Sequence, residues 1–141
     1  MEPLRTLLFV PGNRRNMIEK ARHLPADVLV LDMEDSVPSL EKASARALVS
    51  HSLAGLVPER GEEKGKQKGR KVFVRINSLA SGLAQEDLES VITSGIDGIS
   101  QPKPSSARDV TGVAAIITRL ERERGIAAGH VKLLPWVETA E

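Results

Sequence analysis

A chain of 141 residues, 40% of them apolar, is long enough to bury the core of one ordinary domain, which excludes disorder as a description of the whole. Twenty Lys and Arg against nineteen Asp and Glu leave a formal charge of +1, and two Phe and one Trp with no Tyr offer no stacking platform, so neither nucleic acid nor an anionic membrane is an expected partner. The absence of Cys removes disulfides, thiolate metal sites and a Cys nucleophile, and the apolar run Leu7 to Val10 is too short for a signal segment or a membrane span, so the expected location is cytoplasmic.

In chain order, Thr6 to Val10 reads as a first buried strand closed by Pro11 and Gly12. Asn13 is a candidate N-cap for a helix whose apolar face is Met17, Ile18, Ala21 and Leu24, stopped by Pro25. Val28 to Val37 follows, an apolar run of strand length that breaks into three carboxylates. Side chains alternate along a strand, so Leu29, Leu31 and Met33 share one face while Val28, Val30, Asp32 and Glu34 share the other. Pro38 suits a first helical turn and Glu41 the positive end of a helix, with Leu40, Ala43, Ala47 and Leu48 as the expected apolar stripe.

Gly61 to Arg70 contains no apolar residue and mixes both charges, and it reads as a flexible charged loop inserted into a continuing strand and helix rhythm. Lys71 to Asn77 is the third strand, with Phe73, Arg75 and Asn77 on one face. Ala84, Leu88, Val91 and Ile92 form the third helical stripe, with Gly95 as the expected C-cap. Ile96 to Ser100 is a fourth strand, cut by Pro102 and Pro104. Ser106 and Asp109 stand at capping-box spacing before a helix carried by Val110, Val113, Ala114, Ile117 and Leu120 and ended by Gly125. Val131 to Val137 is a fifth strand in which Leu134 and Trp136 share a face with Glu138.

Five strands separated by four helices call for an α/β fold with a parallel sheet. Two architectures compete, because a doubly wound domain is complete at this length whereas an eight-fold barrel takes about 250 residues. Composition alone favours the complete domain.

In either architecture ligands collect at the carboxyl ends of the strands, and there the sequence places Asp32, Glu34 and Asp35, then Arg75 with Asn77, then Glu138. An arginine there suits a substrate carboxylate, because its planar fork matches two oxygens, and a carboxylate there suits a hard divalent cation. Each residue also has a structural reading: an ion pair for Arg75, a helix cap for Glu138, and solvated acids that stop a strand for the second-strand cluster. His23, His51 and His130 lack mutual metal-ligand spacing, Lys103 lies between two prolines and reads as a loop residue, and no glycine-rich nucleotide motif is present.

Several segments taken together resemble a known family. Leu-Leu-Phe-Val-Pro-Gly-Asn at 7–13, Leu-Asp-Met-Glu-Asp-Ser-Val-Pro at 31–38, Phe-Val-Arg-Ile-Asn at 73–77, Gln-Pro-Lys at 101–103 and Leu-Pro-Trp-Val-Glu-Thr-Ala at 134–140 are similar to the citrate lyase beta-subunit family, grouped with malyl-CoA and citramalyl-CoA lyases among the HpcH/HpaI aldolases. The resemblance implies a (β/α)8 TIM barrel of the phosphoenolpyruvate/pyruvate type, of which residues 1–141 would be the N-terminal part of a single domain, truncated after about five strands. It implies a Mg2+-dependent carbon-carbon lyase that acts on an acyl-CoA or acyl-carrier thioester of a hydroxy acid, such as a citryl, malyl or citramalyl thioester, and on a keto acid. By the same resemblance Arg75 grips the substrate carboxylate and Glu138 binds Mg2+ beside the substrate, while Asp32, Glu34 and Asp35 support the site. Arg14 and Arg15 match the segment that could face CoA phosphates, although exposed first-turn charges also account for them. A homo-oligomer, trimer or hexamer, is expected of the full-length protein.

The family also has a second Mg2+ ligand at the end of a sixth strand and a C-terminal segment that completes a neighbouring subunit's site. Neither is in this sequence, so the chain alone is expected to be inactive. The general acid and base are not identifiable. The rival readings are a receiver-like signalling domain, which fits poorly because Pro11 and Arg75 stand where a receiver needs acids, and an inactive truncated partner chain.

Overall fold

The computed structural model describes residues 3–56 and 70–138. Residues 61–69 of the charged segment lie outside the described residues; Arg70 is described and donates to the Arg22 carbonyl oxygen at 2.8 Å. The elements run β1 (Leu7–Pro11), α1 (Arg15–Ala21), β2 (Val28–Asp32), α2 (Lys42–Leu56), β3 (Lys71–Arg75), α3 (Ala84–Val91), β4 (Gly98–Gln101), α4 (Ala107–Glu123) and β5 (Lys132–Pro135). Short 3-10 turns at Ser39–Glu41 and Leu79–Ser81 lead into α2 and α3.

All four strand pairings are parallel, and the spatial order is β1-β2-β3-β4-β5. That order settles the architecture. A doubly wound sheet reverses its order at a switch point and carries helices on both faces, whereas a sheet wound one way places every helix on one side. Leu29, Leu31, Met33, Val72, Val74, Ile76 and Ile99 form the main core with Ile18, Val49, Leu53, Leu88, Val91, Ile117 and Leu120 of the four helices. On the opposite face Val28, Val30 and Phe73 make a separate cluster with Leu7 and Leu134, and it includes no helical residue. The complete doubly wound domain favoured by composition is therefore incorrect, because length limits how many strands a chain can hold but not the direction in which they wind.

The sheet is also rolled. Four inter-strand steps of about 4.8 Å would hold β1 and β5 some 19 Å apart in a flat sheet. Yet the rings of Phe9, on β1, and Trp136, just past β5, have centroids only 5.8 Å apart. Side chains stand roughly perpendicular to a sheet, so they converge in this way only on the concave side of an arc. The described strands form five consecutive staves of such an arc. Gly98 contributes to the tight interior: a Cβ there would lie 2.6 Å from the Phe73 ring and 2.8 Å from the Lys132 carbonyl oxygen.

Local chemistry explains the helix boundaries. The expected capping box forms on α4, with the Ser106 hydroxyl accepting from the Asp109 N–H and the Asp109 carboxylate accepting from the Ser106 N–H. At its other end Gly125 has φ +67, and the Ile126 N–H reaches the Glu121 carbonyl at 2.8 Å, closing a left-handed cap. The Glu121 carboxylate, buried in the core, then accepts the N–H groups of Gly129 and Val131 and fixes where β5 begins.

Three expectations are corrected. Asn13 does not cap α1; its amide donates instead to Glu41 at 2.6 Å, tying the β1–α1 turn to the start of α2. The buried face of α2 is Ala45, Val49, Ser52, Leu53 and Leu56; of the expected stripe Leu48 packs, partly buried, against the core, while Ala43 and Ala47 face outward and Leu40 is fully exposed. A stripe counted from Leu40 passes through the Ser39–Glu41 turn, whose three residues per turn rotate the phase away from that of an α-helix. Gly95 does not cap α3, which ends at Val91 because Ile92 is already extended.

Candidate functional site

The rim at the carboxyl ends of the strands is built outward from Asp32. Its side chain is 1% exposed, and the loop that follows folds back over it: the Glu34 N–H donates to one carboxylate oxygen at 2.8 Å and the Ser36 N–H to the other at 3.0 Å. In the β2–β3 register Asp32 lies directly beside Arg75. The guanidinium grips it side-on, Nε to Oδ1 at 2.8 Å and Nη2 to Oδ2 at 2.7 Å. Two parallel charge-assisted hydrogen bonds make this the strong geometry for such a pair.

The remaining nitrogen of Arg75 is left uncommitted. Nη1 lies 3.5 Å from Glu34 Oε2 and 3.7 Å from Asp35 Oδ2, distances of charge attraction rather than hydrogen bonding. Those two carboxylates are held from elsewhere. The ammonium of Lys103, in the loop after β4, sits 2.7 Å from Glu34 Oε1 and 3.0 Å from Asp35 Oδ1. Beneath Arg75 lies the Phe9 ring, 4.9 Å from Cζ, in a cation–π arrangement. Beyond Phe9 stands Trp136, whose indole N–H donates to Ser100 Oγ at 2.6 Å.

The electrostatics follow from these contacts. Burial pushes the Asp32 carboxyl up, but hydrogen bonds from Arg75, Ser36 and the Glu34 amide outweigh it and hold the group below the usual carboxylate range. The Lys103 hydrogen bond lowers Asp35. The hydrogen bond to Asp32 raises Arg75, and those to Glu34 and Asp35 raise Lys103. At the far end of β2, hydrogen bonds from Arg5 bring Asp27 to about 2. Carboxyls depressed by folding stabilise the native state above their unfolded values, near 4, and lose that contribution as pH falls through the folded values. Melting temperatures are therefore expected to hold steady from pH 8 to about 5 and to drop below about 4. Asp32→Asn should flatten that drop when thermal melts are compared across the range.

Of the residues expected from sequence, Asp32, Glu34, Asp35 and Arg75 are brought together. Glu138 lies past β5, exposed, and makes no ion pair or hydrogen bond among the described residues. Asn77, expected on the same rim, is buried instead and donates to Asp87. Lys103, Phe9, Ser100 and Trp136 belong to the rim without having been singled out for it. Phe9 and Trp136 could have been found by alternation along their strands. Lys103 left no such signal, because its place depends on a backbone φ of +48, the only positive value at a non-glycine among the described residues.

Mg2+ prefers six oxygen ligands in near-octahedral order. No group of three or more His, Asp or Glu among the described residues is arranged to hold a metal ion. The second-strand carboxylates are already taken by Arg75, Lys103 and backbone N–H groups, and Glu138 stands alone, so the described residues do not by themselves fit the cation. Arg75 Nη1, by contrast, hydrogen-bonds no acceptor among the described residues.

The chain is similar in sequence and fold to known proteins. The family model described as HpcH/HpaI aldolase/citrate lyase matches residues 5–141. The chain is 35% identical to the citrate lyase subunit beta of Haemophilus influenzae, over 99% of this chain and 45% of that protein. It is 35% identical to a (3S)-malyl-CoA thioesterase of Cereibacter sphaeroides, over 84% of this chain and 38% of the other. It superimposes with a TM-score of 0.64, at 26% identity, on the structure of protein CitE from Mycobacterium tuberculosis in complex with magnesium and acetoacetate, over 99% of this chain and 48% of that one. The chain thus spans less than half the length of the relatives it matches. Those proteins share the TIM-barrel fold, and the one-way winding and rolled sheet seen here are part of it. A family match running from residue 5 to residue 141, on a sheet wound as that barrel requires, leads to one conclusion: the chain belongs to the HpcH/HpaI aldolase/citrate lyase family.

Proposed function

We propose that this chain supplies the carboxylate-gripping part of a Mg2+-dependent carbon-carbon lyase whose substrate is a CoA or acyl-carrier thioester of a hydroxy acid of the citryl, malyl or citramalyl type. The observation that carries this reading is the Arg75 edge, because an arginine anchored on one side by a buried carboxylate, with Nη1 unspent, is a preformed receptor for a second carboxylate. Asp32 supports the site by orienting Arg75, and Glu34 and Asp35 support it from beside Arg75, where Lys103 holds them, rather than by binding metal. Magnesium dependence is supported by the magnesium complex of the CitE relative. Glu138 is the described residue that would contribute a ligand, and it needs others. The full-length protein is proposed to be a cytoplasmic homo-oligomer, trimer or hexamer.

A second reading is favoured by the malyl-CoA thioesterase relatives, in which the thioester is hydrolysed. Product analysis separates the two. Malyl-CoA, citramalyl-CoA and citryl-CoA are incubated with Mg2+ and the protein, and the products resolved by mass spectrometry. The lyase reading expects an acyl-CoA and a keto acid from the full-length protein and keto-acid binding without cleavage from these 141 residues alone. Free CoA and an intact hydroxy acid would establish hydrolysis instead. Cleavage by the 141 residues, lost in Arg75→Ala, would uphold the lyase and contradict the expectation that the chain alone is inactive.

A further inference from the structure

Arg75 lies within reach of three carboxylates and hydrogen-bonds only one of them. Glu34 Oε2 at 3.5 Å and Asp35 Oδ2 at 3.7 Å from Nη1 would be expected to tighten into direct hydrogen bonds, because charge-assisted N–H···O contacts settle below 3 Å. Had they done so, four of the five guanidinium N–H groups would be committed and both on Nη1 lost to a ligand. What stands in the way is Lys103, whose ammonium takes the other oxygen of each carboxylate, at 2.7 and 3.0 Å, helped at Glu34 by the Asp35 N–H, which donates to Oε2 at 3.1 Å. Its placement is not incidental. Lys103 is the only non-glycine with positive φ among the described residues, at +48, and it is followed by Pro104, which disfavours compact backbone at the preceding position. Conformations of this kind persist where the surroundings over-determine them and concentrate at functional sites.

We propose that Lys103 is a positioning residue: by drawing Glu34 and Asp35 toward the β4–α4 loop it holds both carboxylates off Nη1 and keeps that edge of Arg75 open for a ligand carboxylate. The proposal rests on Arg75 being the carboxylate receptor, as argued above. It assigns Lys103 no contact with the ligand and no part in bond breaking. It explains why a site for an anion tolerates three carboxylates: one anchors Arg75, and the other two are diverted.

The test is calorimetric titration of the protein with pyruvate, the simplest keto acid, in millimolar Mg2+, for the parent and a set of variants whose folding is checked by thermal melt. Lys103→Met should weaken binding by about tenfold as Glu34 and Asp35 close on Nη1. Lys103→Gly, which accepts the positive φ without strain, should weaken it equally and guards against a folding artefact. Adding Glu34→Gln and Asp35→Asn to Lys103→Met should restore affinity to within about threefold of the parent, since amides compete poorly for a guanidinium. Glu34→Gln with Asp35→Asn in the presence of Lys103 should tighten binding by well under the tenfold that Lys103→Met costs, because with Lys103 in place both carboxylates are already off Nη1. If that pair instead tightens binding by as much as Lys103→Met loosens it, bulk charge rather than positioning is at work and the proposal fails. It fails also if Lys103→Met binds like the parent, or if the triple variant stays as weak as Lys103→Met. Arg75→Ala decides the reading underneath: undiminished binding in that variant, or no binding by the parent, overturns the carboxylate-receptor assignment and this proposal with it, whereas loss in Arg75→Ala with no effect of Lys103→Met overturns this proposal alone.

Discussion

Arg75→Lys is expected to lower affinity for a keto acid by roughly 100-fold while leaving the protein folded. Each charge-assisted hydrogen bond contributes about 1.5–3 kcal/mol, so losing the fork removes about 3 kcal/mol. Lysine keeps a cation beside Asp32 but has no planar edge with which to serve Asp32 and a ligand together. Arg75→Ala should abolish binding and also destabilise the fold, because Asp32 is left as a buried charge whose partner is gone, a change that costs about 3–5 kcal/mol. The contrast between the two variants separates the receptor role of Arg75 from its structural role. Titration calorimetry measures the first and chemical denaturation the second.

The largest loss of stability is expected from Asp87→Ala, a residue at no site. Asp87 is fully buried at the start of α3 and serves two elements: one oxygen accepts the backbone and side-chain N–H groups of Asn77, both at 2.8 Å, and the other accepts Arg46 Nε of α2 at 2.7 Å. Removing it leaves the Arg46 guanidinium, 13% exposed, with Glu86 at 2.7 Å as its carboxylate partner and leaves two N–H groups of Asn77 unsatisfied, for a cost of about 3–5 kcal/mol. Domains of this size have about 5–15 kcal/mol in total, so the variant should unfold at markedly lower denaturant than the parent. Arg46→Met combined with Asp87→Ala should cost less than the sum of the two single changes, because both break the same contact, and denaturant melts of the two single variants and the double variant would measure that coupling. The pair also bears on function, since Asn77 follows Arg75 by two residues and its anchoring sets where β3 ends.

The strands and their succession along the chain are legible in the sequence because apolar alternation along a buried strand is a local property, and the α4 capping box because its two partners are three residues apart. The phase of α2 is not, since it depends on a turn of different pitch at Ser39–Glu41 that spacing alone does not reveal. At the site, alternation brought Asp32 and Arg75 to one rim, and the register then made them neighbours. That Asn77 leaves the rim could not be read from alternation, because the strand ends at Arg75 and a buried Asp87 on the next helix captures the amide. Lys103 reads from the sequence as a loop residue, and it is one. Its contact with Glu34, 69 positions away, is a product of how two loops meet over the end of the sheet, and nothing local to the Pro102-Lys103-Pro104 segment encodes it. The winding of the sheet lies between these cases: five strands and four helices were evident, but only the pairing order and the meeting of Phe9 with Trp136 distinguish an arc of a barrel from a complete open sheet.

The measurement closest to the central claim is a set of thermal melts with and without saturating oxaloacetate, each with and without millimolar Mg2+, for the parent, Arg75→Lys and Glu138→Gln. A ligand that binds only the folded state at about 100 times its dissociation constant adds about 2.7 kcal/mol of stability. If Arg75 is the carboxylate receptor and Glu138 a metal ligand, oxaloacetate raises the melting temperature of the parent, Arg75→Lys loses that shift, and Glu138→Gln loses only the part that depends on Mg2+. An equal upward shift in the parent and in Arg75→Lys, or none in the parent, would contradict the account.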